Sequence, residues 1–177
     1  MVRLAIAANP FFSITDIELS RPEKSYSVDT IRYFGERYQE VFFILGRDAF
    51  VEIETWKEFQ HLFSLCSFIV MTRPGFQKTL STSGRVPACW SGRDSDSPLP
   101  EALVPMFSYD QEVKGWIHTS GHTLFFKEVT ILDISSTKVR ELIESGESVR
   151  YLVPREVEAY VQKNRLYRKN EAQGSKS

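Results

Sequence analysis

Val41-Phe42-Phe43-Ile44-Leu45-Gly46-Arg47-Asp48 decides the fold. Five apolar residues run without a polar break and stop at a glycine, the pattern of a strand buried on both faces. A second run of this kind, Phe68-Ile69-Val70-Met71, stops at Thr72-Arg73-Pro74-Gly75. Between the two, a helical stretch leads through Trp56 to Leu65. Before them, Val28, Ile31, Phe34 and Tyr38 share one face of a helix that Ser25 would cap. Strands alternating with helices imply an α/β protein, a parallel sheet with helices on both faces.

Outward from this centre the pattern is uneven. Residues 2–8 read as the end of a helix stopped by Asn9-Pro10, and Phe12, Ile14, Ile17 and Leu19 as a strand with a slip near Asp16. Residues 76–120 break the alternation. Ser, Gly, Pro and Asp crowd Ser81 to Pro100, so the stretch reads mostly as an irregular excursion. A strand around 123–134, a helix from about 136 to 145 closed by Gly146, and a last helix starting at Pro154 complete the reading. Val157, Tyr160 and Val161 would form the buried face of that last helix. Residues 1–167 read as one domain and 168–177 as a polar tail.

The chain has 177 residues, 42% hydrophobic and 25% charged, an ordinary globular composition. A net charge of −1 argues against a nucleic-acid or anionic-membrane footprint, which needs a basic excess. No apolar run approaches the ~20 residues of a bilayer span. Cys66 and Cys89 form neither a CxxC pair nor a disulfide framework, and a cytoplasmic setting is expected.

Any phosphate chemistry must therefore be local, and Ile134-Ser135-Ser136-Thr137-Lys138-Val139-Arg140 is where it would sit. This is a strand-to-helix junction with hydroxyls to cap orphan amides. Lys138 and Arg140 sit badly against the positive end of a helix dipole unless an anion joins them; the alternative is a capped surface helix with incidental basic residues. In open parallel sheets, ligands bind beyond the carboxyl ends of the strands. At one such end, Gly46 would admit a ligand to the backbone and Asp48 could take a ribose hydroxyl pair or simply cap a helix. At the next, Arg73 could meet a phosphate or face solvent. Thr55 and Glu58 have capping-box spacing, which would make Trp56 the first residue of a helix. Its indole could face a flat aromatic ligand, with amides beside it for a carboxylate, or it could pack under the sheet. Ser25-Tyr26-Ser27 offers hydroxyls and amides at another helix start.

Ser25-Tyr26-Ser27-Val28-Asp29-Thr30, Ile44-Leu45-Gly46-Arg47-Asp48, Thr55-Trp56, Arg73-Pro74-Gly75 and Ile134-Ser135-Ser136-Thr137-Lys138-Val139-Arg140 occur in the order of one enzyme group. The chain closely resembles bacterial nicotinate-nucleotide adenylyltransferases, nucleotidyltransferases with a Rossmann-like fold. The resemblance runs from residue 1 to about 167 and is weakest across 76–120. It implies adenylyl transfer from ATP to nicotinate mononucleotide in NAD biosynthesis, with Mg²⁺ held largely by phosphates. It further implies that Trp56 stacks on the nicotinate ring and that amides near Trp56-Lys57 and Ser27 hold its carboxylate. Ser27 stands where the family usually has threonine. Arg73 would contact the mononucleotide phosphate, Gly46 and Asp48 would lie at the ribose, and Ser136, Thr137 and Arg140 would cradle the ATP phosphates.

The family pattern also begins with a strand, a glycine-rich turn carrying H-x-G-H, a helix, a second strand and a basic loop. This chain opens at what matches the helix beyond these, so the catalytic histidines have no counterpart here and an unpaired strand edge is expected. Two expectations follow. One is an adenylyltransferase whose sequence continues upstream of Met1; the other is an inactive nucleotide-binding module. Relatives acting on nicotinamide mononucleotide or another phosphorylated acceptor should lack the Ser-Tyr-Ser and Thr-Trp elements. His118-Thr119-Ser120-Gly121-His122 has the wrong spacing and context for a relocated phosphate turn, a zinc site of His118, His122 and Cys89 lacks a fourth ligand, and His61 reads as a helix-surface residue.

Overall fold

The computed structural model describes residues 1–73, 98–130, 132 and 134–168. The chain divides into two compact units, Met1–Asp16 with Leu132–Ser177, and Ile17–Ile131. That division falls inside the 1–167 stretch that the sequence reads as one domain.

The larger unit is built on a five-stranded sheet. Its strands are β1 (Phe42–Gly46), β2 (Ser67–Thr72), β3 (Phe107–Asp110), β4 (Gly115–His118) and β5 (Thr123–Glu128), in the order β1-β2-β5-β4-β3. β1, β2 and β5 are parallel, with Phe43 opposite Phe68 and Phe68 opposite Leu124. β4 and β3 run antiparallel beside them, so the sheet is mixed rather than wholly parallel. It is a Rossmann-like α/β arrangement extended by a hairpin. That hairpin occupies part of 76–120, and a 3₁₀ turn at Glu101–Met106 precedes it, so this part of the expected irregular excursion is ordered. Alternation in Phe107-Ser108-Tyr109-Asp110 is short and polar, which hid the strand. Residues 74–97 lie outside the described residues.

One sheet face carries the core. Phe43 and Leu45 of β1, Phe68 and Val70 of β2, and Leu124 and Phe126 of β5 meet the buried Val28, Ile31, Phe50, Leu62 and Phe63 of the helices. The Phe68 ring is 4.5 Å from Phe63 and 5.6 Å from Phe43, centroid to centroid. Gly115 is needed for close approach: a Cβ there would stand 2.8 Å from the Phe125 ring. β1 is the edge strand, and Phe42 and Ile44 are 41% and 58% exposed, so the expectation of burial on both faces fails there. Alternate residues of an edge strand point to the face that the core helices leave open.

The helices of this unit are α2 (Ser27–Gly35), α3 (Arg47–Val51) and α4 (Phe59–Leu65). Val28 and Ile31 of α2 are buried as the spacing predicts, whereas Tyr38 lies beyond the helix and is exposed. Ser25 does not cap it: Tyr26 is the N-cap, and the Ser25 hydroxyl donates to the Glu18 carbonyl. The helical stretch through Trp56 is three pieces, because a 3₁₀ turn at Ile53–Thr55 separates α3 from α4. Nor do residues 12–19 form a strand. Among the described residues no neighbouring strand pairs with them, and turn bonds such as the Phe12 amide to the Asn9 carbonyl replace a ladder. Phe11 is 93% exposed.

The smaller unit contains α1 (Val2–Ile6), α5 (Ser136–Glu144) and α6 (Arg155–Lys163). Ser135 caps α5 by accepting from the Lys138 amide at 3.1 Å. Gly146 closes it in the left-handed region (φ 76°), where the Glu147 amide reaches back to the Leu142 carbonyl. The strand expected to lead into α5 ends at Glu128 rather than near 134. Pro154 is the N-cap of α6, one position before the expected first turn. Val157 and Val161 are buried, but Tyr160 is exposed, since a nine-residue helix with one narrow apolar stripe covers only two of the three.

Candidate active site

Two elements widely separated in sequence meet in the larger unit. At the start of α2, Tyr26 is extended and its carbonyl accepts from the Asp29 and Thr30 amides. The amides of Ser27 and Val28 stand in the first turn, where a helix has no carbonyl to offer them. Opposite lies the turn Thr55-Trp56-Lys57-Glu58. Lys57 Nζ sits 4.5 Å from the Tyr26 ring centroid and 3.7 Å from Asp29 Oδ2. Arg32 joins Asp29 Oδ1 at 3.3 Å and Glu58 Oε2 at 3.4 Å. The Ser-Tyr-Ser and Thr-Trp elements, which the sequence could only place in order, are thus tied side by side.

Trp56 is not the first residue of a helix and no capping box forms. Thr55 Oγ1 donates to the Glu52 carbonyl, Trp56 is extended, and Glu58 in the left-handed region (φ 54°) turns the chain into α4. The Thr55 hydroxyl is engaged one turn back as a donor to the Glu52 carbonyl rather than accepting from an amide of α4. The Trp56 amide donates to the Ile53 carbonyl, so the Lys57 amide is the one standing outside that turn. The indole is half-buried and meets the Phe43 ring edge-on at 6.0 Å. The structure supports the packing reading of Trp56, since the ring lies against the core, and its intermediate burial leaves part of the side chain accessible.

Gly46 and Arg73 leave the same end of the sheet. Gly46 pairs with Met71, so β1 and β2 deliver Asp48 and Arg73 at adjacent carboxyl ends. Gly46 is the N-cap of α3, with open space where a Cβ would project. Asp48 is therefore a first-turn residue of α3 and not its cap; it is exposed, as is Arg73. Pro74-Gly75, which the sequence reads as a turn holding Arg73, lies outside the described residues. Sequence reasoning missed Thr72: it is 2% exposed, and its Oγ1 has no hydrogen-bond partner among the described residues. Only its position at the end of a buried strand could have flagged it.

In the smaller unit, Ser136, Thr137 and Arg140 occupy the exposed first turns of α5, with Arg140 Nη2 donating to Thr137 Oγ1 at 3.3 Å. Thr137, Arg140, Glu141 and Glu144 line an open cleft of about 390 Å³ together with Tyr167 and Arg168. The last two were not singled out from sequence as site residues.

The histidines have structural surroundings. His118 closes the β4–β5 hairpin: Nδ1 is 2.7 Å from Ser120 Oγ, and its amide donates to the His122 carbonyl. Burial, and then the neighbouring His122, hold its pKa below the ordinary value. His61 lies exposed on α4, with Nδ1 3.0 Å from Ser64 Oγ. Burial pushes the Cys66 thiol up to about 12, against a backbone hydrogen bond from Phe43 that lowers it, so it is a poor nucleophile. Among the described residues no three His, Cys, Asp or Glu side chains converge as metal ligands; Cys89 lies outside them. No helix among the described residues is long and apolar enough to cross a membrane.

Comparison with known proteins shows the family. Residues 1–142 match the cytidylyltransferase-like family. A protein of Geotalea daltonii named "Probable nicotinate-nucleotide adenylyltransferase" is 41% identical over 169 residues, covering 94% of this chain and 72% of its own length. One of the same name from Syntrophotalea carbinolica is 39% identical over 176 residues, covering 97% and 73%. Among solved structures, the nicotinic acid mononucleotide adenylyltransferase of Plasmodium falciparum aligns with a TM-score of 0.49 at 16% identity. This chain spans 61% of that structure's length, and 84% of this chain is covered. The chain belongs to the nicotinate-nucleotide adenylyltransferases, a family of nucleotidyl-transferring enzymes within the cytidylyltransferase-like group.

Proposed function

We propose that the protein joins ATP and nicotinate mononucleotide to give nicotinate adenine dinucleotide and pyrophosphate. The observation that supports this most is the pairing of the Ser25–Ser27 segment with the Thr55–Glu58 turn beside a half-buried indole. An aromatic ring carrying a carboxylate needs both a flat apolar surface and donors at its edge. Trp56 would supply the first, with stacking of the order of 1–3 kcal/mol, and the amides of Lys57 and Ser27 the second. Arg73 would meet the mononucleotide phosphate and Asp48, beside the open backbone of Gly46, the ribose. Ser136, Thr137 and Arg140 would take the ATP phosphates at the start of α5.

In the reaction, a phosphate oxygen of the mononucleotide attacks the α-phosphorus of ATP. The bond from that phosphorus to the bridging oxygen breaks, and pyrophosphate leaves with the electron pair. No covalent enzyme intermediate is needed, so the side chains act by alignment and charge neutralisation. Magnesium carried on the triphosphate would offset charge on the leaving group. A phosphate-held ion fits a chain whose described residues offer no carboxylate cage. A cytoplasmic setting belongs to the same proposal.

A second reading is kept as an outcome of the test. A module that binds the mononucleotide without turning over ATP would look the same on the acceptor side. Incubation with ATP, Mg²⁺ and nicotinate mononucleotide separates the two. Dinucleotide and pyrophosphate in equal amounts are expected; mononucleotide binding without either product would leave the second reading standing.

A further inference from the structure

Tyr26 caps α2 through its backbone alone, with no side-chain bond to the first turn. The entry to this helix is fixed from further upstream, by Glu18, which holds the chain on both sides of Tyr26-Ser27. The Glu18 carbonyl accepts from the Ser25 hydroxyl at 3.0 Å, and its carboxylate accepts from the Thr30 hydroxyl at 2.7 Å. Arg21 Nη1 donates to the same Thr30 oxygen at 3.1 Å. A guanidinium can only donate and an ionised carboxylate can only accept, so the Thr30 proton points at Glu18. A threonine within a helix ordinarily returns that proton to the carbonyl one turn back. Here that carbonyl belongs to Tyr26, and it takes the Asp29 and Thr30 amides while the hydroxyl reaches outward.

We infer that Glu18 is a positioning residue for the acceptor mononucleotide, acting through Ser25 and Thr30 to hold the Ser27 amide ready for its carboxylate. This rests on the reading of that amide as a carboxylate donor and goes beyond it by naming what keeps the amide in place. A backbone donor helps most when it is aimed before the ligand arrives; otherwise binding must offset the entropy of ordering the turn. Two hydrogen bonds to one residue, one before the turn and one after it, supply that order. Arg21 keeps the Thr30 hydroxyl from turning away. On the other flank of the same helical turn, Asp29 meets Arg32 and Lys57, so the start of α2 is held from two directions. The Glu18–Thr30 bond is exposed to solvent, and its effect on affinity is therefore severalfold rather than all or none.

The test is calorimetric titration of the whole chain with nicotinate mononucleotide and, separately, with ATP. Thr30→Val has nearly the same shape without the hydroxyl; it should weaken mononucleotide binding about three- to fivefold and leave ATP within about twofold. Glu18→Ala should do the same, whereas Thr30→Ser keeps the hydroxyl and should bind as the wild type does. Hydrogen exchange at the Asp29 and Thr30 amides should quicken in the first two variants and not in the third. Ser27→Pro probes the underlying reading. Proline suits the first position of a helix, and Tyr26 is already extended (φ −114°, ψ 147°) as the residue before a proline must be. Measured against Ser27→Ala, it removes only the amide and should weaken the mononucleotide at least as much as Thr30→Val does. If Ser27→Pro weakens binding while Thr30→Val and Glu18→Ala leave it unchanged, or lose both ligands equally, the positioning role is overturned and the amide reading stands. If Ser27→Pro binds like Ser27→Ala, or the wild-type chain binds no mononucleotide, the amide reading falls and the inference with it. Thermal melts of each variant verify folding, which substitutions at these surface positions should leave near wild type.

Discussion

The turn at Trp56 and the start of α5 are built in opposite ways. Around Trp56, the proposed platform rests on a core: Phe43 supports the indole, and Phe43 itself packs on Phe68. Ion pairs then fix the rim. The start of α5 has no buried residue in its helix at all and is shaped by an amide-to-hydroxyl bond from Lys138 to Ser135 and a guanidinium-to-hydroxyl bond from Arg140 to Thr137. A ring-binding surface must exist before its ligand arrives, because apolar contact cannot be assembled from solvated side chains at low cost. A phosphate site can be held by polar groups that settle around the charge. The contrast predicts that damage to the core will reach the Trp56 side far more than the α5 side.

The largest effect should come from Phe68→Ala. The ring is fully buried between Phe63 and Phe43, and removing it should cost about 3–5 kcal/mol, read as a large fall in melting temperature. Hydrogen exchange should speed up throughout β1, β2 and β5 and leave α5 unchanged; uniform acceleration would break the contrast. Arg140→Ala should weaken ATP binding by about 1–2 kcal/mol, the scale of a lost charge-assisted contact, and leave mononucleotide affinity alone. An unchanged ATP affinity would remove Arg140 from the phosphate site. Ser135→Ala should cost about 1 kcal/mol and accelerate exchange at the Lys138 amide, with the sheet unaffected.

The smallest effect is a pH dependence. His118 has its pKa lowered in the folded chain from an ordinary 6.5, so the unfolded chain binds the proton more readily. Its contribution is fully present above pH 6.5 and is lost as pH falls below that value and through the depressed folded one. His118→Gln should flatten the stability profile below pH 6.5, and an unaltered slope would show that the imidazole does not titrate against its hairpin.

What the sequence revealed follows the same division. The runs Phe42–Gly46 and Phe68–Met71 disclosed their strands because both are continuously apolar, although Phe42, Ile44 and Met71 are exposed, and Ser135 and Gly146 marked the ends of α5 because capping chemistry is local. The antiparallel hairpin was invisible, since Ser108 and Asp110 give its outer strand a loop-like composition. Phe12 to Leu19 alternated like a strand yet does not form one, because a ladder depends on a neighbouring strand that a local pattern cannot report. The capping box at Thr55–Glu58 failed for a similar reason: the spacing is also compatible with a 3₁₀ turn, and the nearer Glu52 carbonyl won the hydroxyl. The candidate residues Trp56, Ser27, Asp48 and Arg73 were legible by type and order. What was not legible was that Lys57, Asp29 and Tyr26 lock two of those segments together, because that contact joins residues nearly thirty positions apart.

The most direct test of the central claim, that the half-buried indole of Trp56 is a preformed platform for a pyridine ring, is calorimetric titration of the Trp56→Ala variant with nicotinate mononucleotide and, separately, with ATP. The account predicts that mononucleotide affinity falls about tenfold or more while ATP affinity stays within twofold. Equal losses for the two ligands would contradict it.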